Sequence, residues 1–378
     1  MAEKIWLSSP HMGGNELKYI HEAFDANWVA PLGPNVNGFE ADLEKFLNAD
    51  VKVAALSAGT AAIHLALIEC GVGYGDEVLC QSMTFSATAN PIAYQGATPV
   101  FIDSEKDTWN LCPIALEEAI KDRIAKGKTP KAILAVHLYG MPYKVNEVHA
   151  VAEKYNIPVI EDAAEALGST YKGKACGTFG RFGGLSFNGN KIITTSGGGA
   201  LVCQTQEDKD KAVFLATQAR DNAPHYQHSH IGYNYRMSNI TAGIGRGQME
   251  VLADRVAARR AMNQFYQELF ADIDGVTVFV EPSSDYFSNH WLSAILIDSK
   301  VAGKTREDLR LAFLVDDIES RPLWKPMHMQ PVFADAPYYG GTVAEELFEN
   351  GLCLPSGSNL TDAERERITA KVKEVFGK

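Results

Sequence analysis

Between residues 51 and 203 short apolar runs alternate with polar turns and helix-forming stretches, and this alternation restricts the fold more than any other feature of the chain. The runs fall at 51–56, 77–80, 98–103, 132–137, 157–162 and 201–203, with helical patterns at 61–69, up to 95, 113–126 and 145–155 between them. Strand and helix alternating at this length predict a mostly parallel sheet with helices on both faces. Ligands of such sheets sit beyond the carboxyl ends of the strands, so functional residues are expected in the turns that follow the apolar runs.

Four of those turns carry suitable chemistry. Ser57-Ala58-Gly59-Thr60 joins a strand to a helix through small residues, which aims free backbone N–H groups and a positive helix end at a phosphate. The segment lacks the Gly-x-Gly-x-x-Gly pattern of dinucleotide folds, and no Walker lysine follows, so a nicotinamide oxidoreductase is disfavoured. Phe85 follows the second run; an aromatic there is either core or the stacking partner of a flat ring. Glu161-Asp162 closes the fifth run with acids. Beyond it Lys191 lies among Ser186, Asn188, Asn190, Thr194, Thr195 and Ser196, between two glycine-containing clusters foreign to an ordinary core strand. A glycine-rich loop with a solvent-facing lysine is the plain alternative. A lysine shielded from water can instead form a Schiff base with a carbonyl, and an acid-ended strand upstream completes what a pyridoxal phosphate site needs.

The 378 residues suffice for two lobes, and a net charge of -12 disfavours a nucleic-acid binder. Six dispersed cysteines, with neither a C-x-x-C pair nor zinc spacing, read as reduced thiols in a cytoplasmic protein. Residues 1–10 lack the pattern of a signal peptide, and the most apolar long window, 54–73, is too interrupted to span a membrane. His225, His228 and His230 have no carboxylate or cysteine pattern beside them, so a solvated or interface loop is expected there, with no metal.

Leu17, Ile20 and Phe24 mark one face of a helix at 16–26, and Phe39, Leu43, Phe46 and Leu47 mark a second amphipathic helix; both are expected to pack. One long helix is predicted over 240–270, bridging two lobes. Strands at 276–280 and 291–298, a helix at 306–314, an irregular cluster at 319–328 and a helix at 363–376 follow. The expected boundary lies near residue 250: a large domain at 1–250 and a smaller α+β domain at 251–378.

Six segments, in this order, resemble the DegT/DnrJ/EryC1/StrS family of pyridoxal 5′-phosphate (PLP) nucleotide-sugar aminotransferases over nearly the whole chain. They are Ser57-Ala58-Gly59-Thr60, Met83-Thr84-Phe85-Ser86-Ala87-Thr88-Ala89-Asn90, Glu161-Asp162-Ala163-Ala164-Glu165-Ala166-Leu167-Gly168, Ser186-Phe187-Asn188-Gly189-Asn190-Lys191, Gly232-Tyr233-Asn234-Tyr235-Arg236-Met237-Ser238-Asn239 and Arg321-Pro322-Leu323-Trp324-Lys325-Pro326-Met327-His328. The resemblance implies an α/β fold of type I, like aspartate aminotransferase, and a homodimer with shared active sites. It implies that Lys191 holds the cofactor aldehyde and later moves a proton, that Asp162 pairs with the ring nitrogen, and that Phe85 stacks on the ring. Gly59, Thr60 and Ser186 would hold the phosphate, with Asn234 reaching in from the partner. Glu165 stands where relatives often carry Gln or His near the ring hydroxyl, and Asn188 where many carry His. Arg236, Arg321, Trp324, Lys325 and His328 would face the substrate; Arg321, Lys325 and His328 suit a diphosphate, an ordinary surface charge cluster being the alternative.

Relatives that lost the lysine dehydrate sugars with a histidine in its place, so Lys191 favours transamination over that reading. An intact Asp162 and Lys191 also disfavour a non-catalytic binding protein. Within the family the chain looks most like enzymes that aminate C4 of a UDP-linked 4-keto-6-deoxy-N-acetylhexosamine with glutamate as donor, subgroups using GDP- or dTDP-sugars carrying similar motifs.

Overall fold

The computed structural model describes residues 3–378. In chain order the first elements are α1 (Glu16–Asp25), α2 (Pro34–Leu47), β1 (Lys52–Leu56), α3 (Gly59–Glu69), β2 (Glu77–Gln81), α4 (Ser86–Tyr94), β3 (Thr98–Ile102), α5 (Pro113–Ala125), β4 (Ala132–Val136), α6 (Val145–Tyr155) and β5 (Val159–Asp162). There follow β6 (Thr170–Tyr171), β7 (Lys174–Ala175), β8 (Phe182–Ser186), β9 (Gly199–Cys203), α7 (Gln206–Ala216), α8 (Asn239–Met249) and α9 (Leu252–Phe270). The chain ends with β10 (Val276–Val278), β11 (Tyr286–Phe287), β12 (Ser293–Ile297), α10 (Ser299–Ala302), α11 (Arg306–Val315), β13 (Arg321–Pro322), β14 (Tyr338–Tyr339), α12 (Val343–Asn350), β15 (Gly351–Leu354) and α13 (Asp362–Phe376).

Eight strands form the main sheet in the order β1-β9-β8-β5-β4-β2-β3-β14. Only β9 runs against its neighbours, β1 and β8; the other pairings are parallel, as the alternation predicts. Side chains alternate between the two faces. Ala54, Leu56, Cys80, Phe101, Leu134 and Ile160 enter one core, which α3 closes with Ile63 and Leu67. Val53, Ala55 and Val202 meet Phe39 and Leu43 of α2 on the other face, and Leu79, Val100 and Ile133 meet Leu116 and Val148 there. With both faces covered, the strands read as continuous apolar runs instead of alternating ones.

Three sequence expectations change. The first glycine-containing cluster is a core strand: Gly183 and Gly184 lie in β8. A Cβ on Gly183 would stand 2.2 Å from the Gly177 carbonyl oxygen, and one on Gly184 would stand 2.7 Å from Ile63 Cδ1, so close approach demands the glycines. The single helix over 240–270 is two: α8 ends where Glu250 is drawn to Asn15 and Tyr19, and α9 starts after Val251, whose φ of -115° leaves the helical range. The apolar face of α1 is not packed within the chain; Leu17 and Phe24 are exposed, and Glu16 and Ala23 are the buried positions.

A second sheet, β10-β12-β15-β13, is antiparallel and packs against α9, α11 and α13 around Tyr266, Ile295, Phe313 and Ile368. The N-terminal segment joins this part: the Ile5 N–H donates to Asp317 O, and Ile5 lies in the same core. Strands β11, β6 and β7 form a third, small sheet. No helix among the described residues is long and apolar enough to cross a membrane. All six cysteines are free, and no group of three or more His, Cys, Asp or Glu among the described residues is placed to hold a metal ion.

Candidate active site

The carboxyl ends of β1, β2, β5 and β8 open onto one cavity of about 500 Å³. Gly59, Thr60, Phe85, Asp162, Glu165, Ser186, Asn188 and Lys191 all line it, so residues scattered over more than 130 positions are brought together by the sheet topology alone. Arg321 and Trp324 close it from the C-terminal part, and Leu7 and Ser8 from the N-terminal segment.

At one end of the cavity α3 begins with no side chain capping it. The N–H groups of its first turn have no partner within the helix, and together with the helix dipole they form an anion site. Backbone packing around this end is very close. A Cβ on Gly199 would lie 2.3 Å from Ala58 C and Gly59 N, and one on Gly59 would lie 3.0 Å from Ser186 Cβ. The glycines therefore let the β8 and β9 ends reach the helix terminus.

Asp162 ends β5 with its side chain in the cavity, 7% exposed. Thr88 Oγ1 donates to its Oδ2 at 2.5 Å and the Ala164 N–H to its Oδ1 at 3.1 Å, while Thr84 backs Thr88 at 2.7 Å. The carboxylate is thereby fixed. Because successive strand residues face opposite ways, Glu161 points out of the cavity. It accepts from the Gly177, Phe179 and Gly180 N–H groups at 2.6–2.7 Å and from His137 Nε2 at 2.8 Å. Burial pushes Glu161 up, but His137 and the backbone donors outweigh it and hold the carboxyl below its usual range.

Lys191 Nζ sits 3.2 Å from Glu165 Oε1 and 4.0 Å from the centre of the Trp291 ring. The other Glu165 oxygen accepts the Tyr139 N–H at 2.8 Å. Burial raises Glu165 to about 7, with the Lys191 charge opposing. A carboxyl raised this far, with the Lys191 amine 3.2 Å away, is placed to exchange a proton with it. Phe85 is half open to the cavity, its ring 5.7 Å from that of Trp324, which leaves an aromatic face free for a planar ligand.

An anion cradle, a fixed carboxylate for a ring nitrogen, a free aromatic face and a lysine amine fit pyridoxal phosphate group by group. Four expected residues do not join the cavity within this chain. Asn234 is exposed and receives a hydrogen bond from Gln218. Arg236 is bound to Glu40 and to the Ala55 carbonyl. Lys325 is exposed. His328 is held between Ser82 and Glu345 and stacks on Tyr338 at 3.8 Å. Conversely, Ser8, Thr88, Tyr139 and Trp291 take part without being singled out in the sequence. Thr88 and Tyr139 lie in segments following apolar runs, where a polar partner for Asp162 could have been sought; Ser8 and Trp291 carry no local signal.

The DegT/DnrJ/EryC1/StrS aminotransferase family model matches residues 10–373. A Bacillus subtilis (strain 168) protein named as a pyridoxal phosphate-dependent aminotransferase, EpsN, is 52% identical over 100% of this chain and 97% of its own. A GDP-perosamine synthase of Escherichia coli O157:H7 is 36% identical over 98% of each chain. Among solved structures, a DegT DnrJ EryC1 StrS aminotransferase from Brucella abortus superimposes with a TM-score of 0.89 at 30% identity, covering 96% of both chains. The chain belongs to the DegT/DnrJ/EryC1/StrS aminotransferase family and is a PLP-dependent aminotransferase of fold type I.

Proposed function

We propose that the enzyme transfers an amino group from glutamate to the 4-keto group of a nucleotide-linked 6-deoxy sugar, for bacterial polysaccharide synthesis. The observation that carries this reading is the cavity itself, where the Lys191 amine, the Asp162 carboxylate and the bare end of α3 meet. Pyridoxal phosphate, when bound, supplies the electron sink that lets a proton leave the carbon bearing the amine. Lys191 Nζ carries that proton, with Glu165 as its acceptor beside it. Asp162, fixed by Thr88 and Ala164, keeps the ring nitrogen protonated. The α3 terminus, Thr60 and Ser186 would hold the phosphate, with Asn188 on the same cavity wall. Arg321 and Trp324 border the side where the acceptor enters.

The UDP-linked 2-acetamido-2,6-dideoxy-4-keto-hexose is the first reading of the acceptor, on the motifs around Asn188 and Arg321. The likeness to GDP-perosamine synthases favours a GDP-linked sugar as the second. We also propose a homodimer, in which Asn234 and the 232–239 segment serve the partner's site. The exposed apolar side chains Leu17, Phe24, Val29 and Leu32 support it, since a face this apolar suits a protein partner. Lys325, His328 and Arg236 would then act on the acceptor only through closure or across that interface. We further propose a domain boundary near residue 250, a reading supported by the break between α8 and α9. Six free cysteines suit a reducing cytoplasm.

The test is the visible spectrum of the purified protein before and after glutamate, with Lys191→Ala alongside. Glutamate should convert the yellow form to the pyridoxamine form in the native enzyme, while the variant loses turnover by at least about 10⁴-fold. UDP- and GDP-linked 4-keto sugars, added separately, should restore the yellow band with one nucleotide and not the other. A native enzyme whose spectrum ignores glutamate would sink the proposal.

A further inference from the structure

Behind the lysine loop lies a fully buried arginine that the reaction as described does not use. Arg259 of α9 is 1% exposed and has no carboxylate partner among the described residues. A guanidinium removed from water needs its donors filled; here two of them reach unrelated parts of the chain, while Nε is left without a partner among the described residues. Nη1 donates to the Trp291 carbonyl at 2.7 Å, and Nη2 donates to Ser8 Oγ at 2.8 Å. Both recipients then converge on one atom. Ser8 Oγ donates to Asn190 O at 2.6 Å, and Trp291 Nε1 donates to the same oxygen at 2.7 Å. Asn190 immediately precedes Lys191.

We propose that Arg259, Ser8 and Trp291 form a clamp on the Asn190 carbonyl, and that this clamp sets the reach of Lys191, making the N-terminal segment a positioning element of the reaction. Three features point this way. A hydroxyl that receives a hydrogen bond from a guanidinium is polarised and donates more strongly onward, so the charge of Arg259 tightens the Ser8 contact. Trp291 meets the lysine twice, with its N–H on the preceding carbonyl and its ring face 4.0 Å from Nζ. Ser8 is itself held in place: Ile5 pairs with Asp317 and Glu319, the Leu7 N–H donates to Glu319 Oε2, and the Leu7 carbonyl accepts from Ser356.

The lysine loop is otherwise weakly tied at this point. Asn188 and Asn190 are exposed, and the Lys191 N–H donates only as far as Asn188 O, at 3.0 Å. Without the clamp the peptide before Lys191 can rotate, moving Nζ relative to Asp162 and the α3 terminus. Misplacement of about 1 Å in a reacting group costs up to about 10²-fold in rate.

The two arms are cut separately by Ser8→Ala and Trp291→Phe, with Ser8→Thr restoring the hydroxyl. Two rates are read by stopped-flow absorbance: capture of added pyridoxal phosphate by the cofactor-stripped protein, and the glutamate half-reaction of the holoenzyme. Each of the first two variants should slow both by about tenfold, leave the KM for glutamate within about twofold, and melt within about 3 °C of the native protein. Ser8→Thr should return both rates to within about twofold. Native rates in Ser8→Ala, or equal slowing in Ser8→Ala and Ser8→Thr, would overturn the clamp. Arg259→Met is unsuited as the first test, because an emptied buried site invites unfolding.

Discussion

Glu161 and Glu165 stand four positions apart, both fully buried, on either side of the turn that ends β5, yet they respond to burial in opposite ways. The difference is the number and kind of donors. Glu161 has three backbone N–H groups and His137, which overcome the cost of burying its charge. Glu165 has the Tyr139 N–H and the Lys191 amine, and stays near 7. One carboxyl is held below its usual range and braces the sheet behind the site. The other is left able to change its proton, facing the group whose proton must move. Dryness alone makes neither of them functional; incomplete satisfaction does.

Removing the brace should have the larger effect on stability. Glu161→Ala leaves His137 and three buried N–H groups without their acceptor, and should cost about 3–5 kcal/mol. Chemical denaturation of the native protein and the variant under the same conditions measures it. A loss below about 1 kcal/mol would mean that water or neighbouring carbonyls replace the carboxylate, and the contrast with Glu165 would collapse.

The same contrast explains what the sequence disclosed. The turns after β1, β2 and β5 were legible because each follows an apolar run whose two faces are both covered, which fixes the strand and therefore the edge where its last residue lies. Strand β8 was hidden: Gly183 and Gly184 are needed where Gly177 and Ile63 press against the backbone, and a residue chosen for absent bulk leaves no apolar signal. The walls from afar, Ser8 and Trp291, were illegible because hydrogen bonds spanning 182 and 101 positions have no local pattern. Arg321 and Trp324, expected from the resemblance, line the cavity, whereas His328 is engaged by Ser82 and Glu345. The α1 pattern predicted burial that the single chain does not provide: Leu17 and Phe24 stay exposed.

Glu165→Gln sharpens the comparison through pH. A carboxyl whose folded value, about 7, lies above its ordinary 4.5 binds its proton more tightly when folded, so its contribution is present below 4.5 and is lost as pH rises through 7. In the cofactor-stripped protein the native chain should therefore lose about 3 kcal/mol relative to Glu165→Gln between pH 4.5 and 8. Glu161, held low, runs the other way: its stabilisation is full above its ordinary range and fades only in acid. A difference between native and Glu165→Gln that stays flat from pH 5 to 8 would show that Glu165 is ionised throughout and exchanges no proton with Lys191.

The smallest effect belongs to a third buried carboxyl, which has no hydrogen-bond partner among the described residues. Glu69 ends α3, at the opposite end from the anion cradle, and neither of its oxygens accepts a hydrogen bond. Burial raises it to about 7, with Lys211 and Arg181 opposing and Asp208 adding to the rise. A negative charge at a helix C-terminus also opposes the helix dipole. Glu69→Met should thus stabilise the enzyme by about 1–2 kcal/mol more at pH 8 than at pH 5, where the native side chain is neutral. Its transamination rate should stay within about twofold of native, because the carboxyl lies a full helix away from Lys191. If the gain were as large at pH 5 as at pH 8, ionisation of Glu69 would not be its source, and the ranking of the three carboxyls by their donors would lose its unpartnered member.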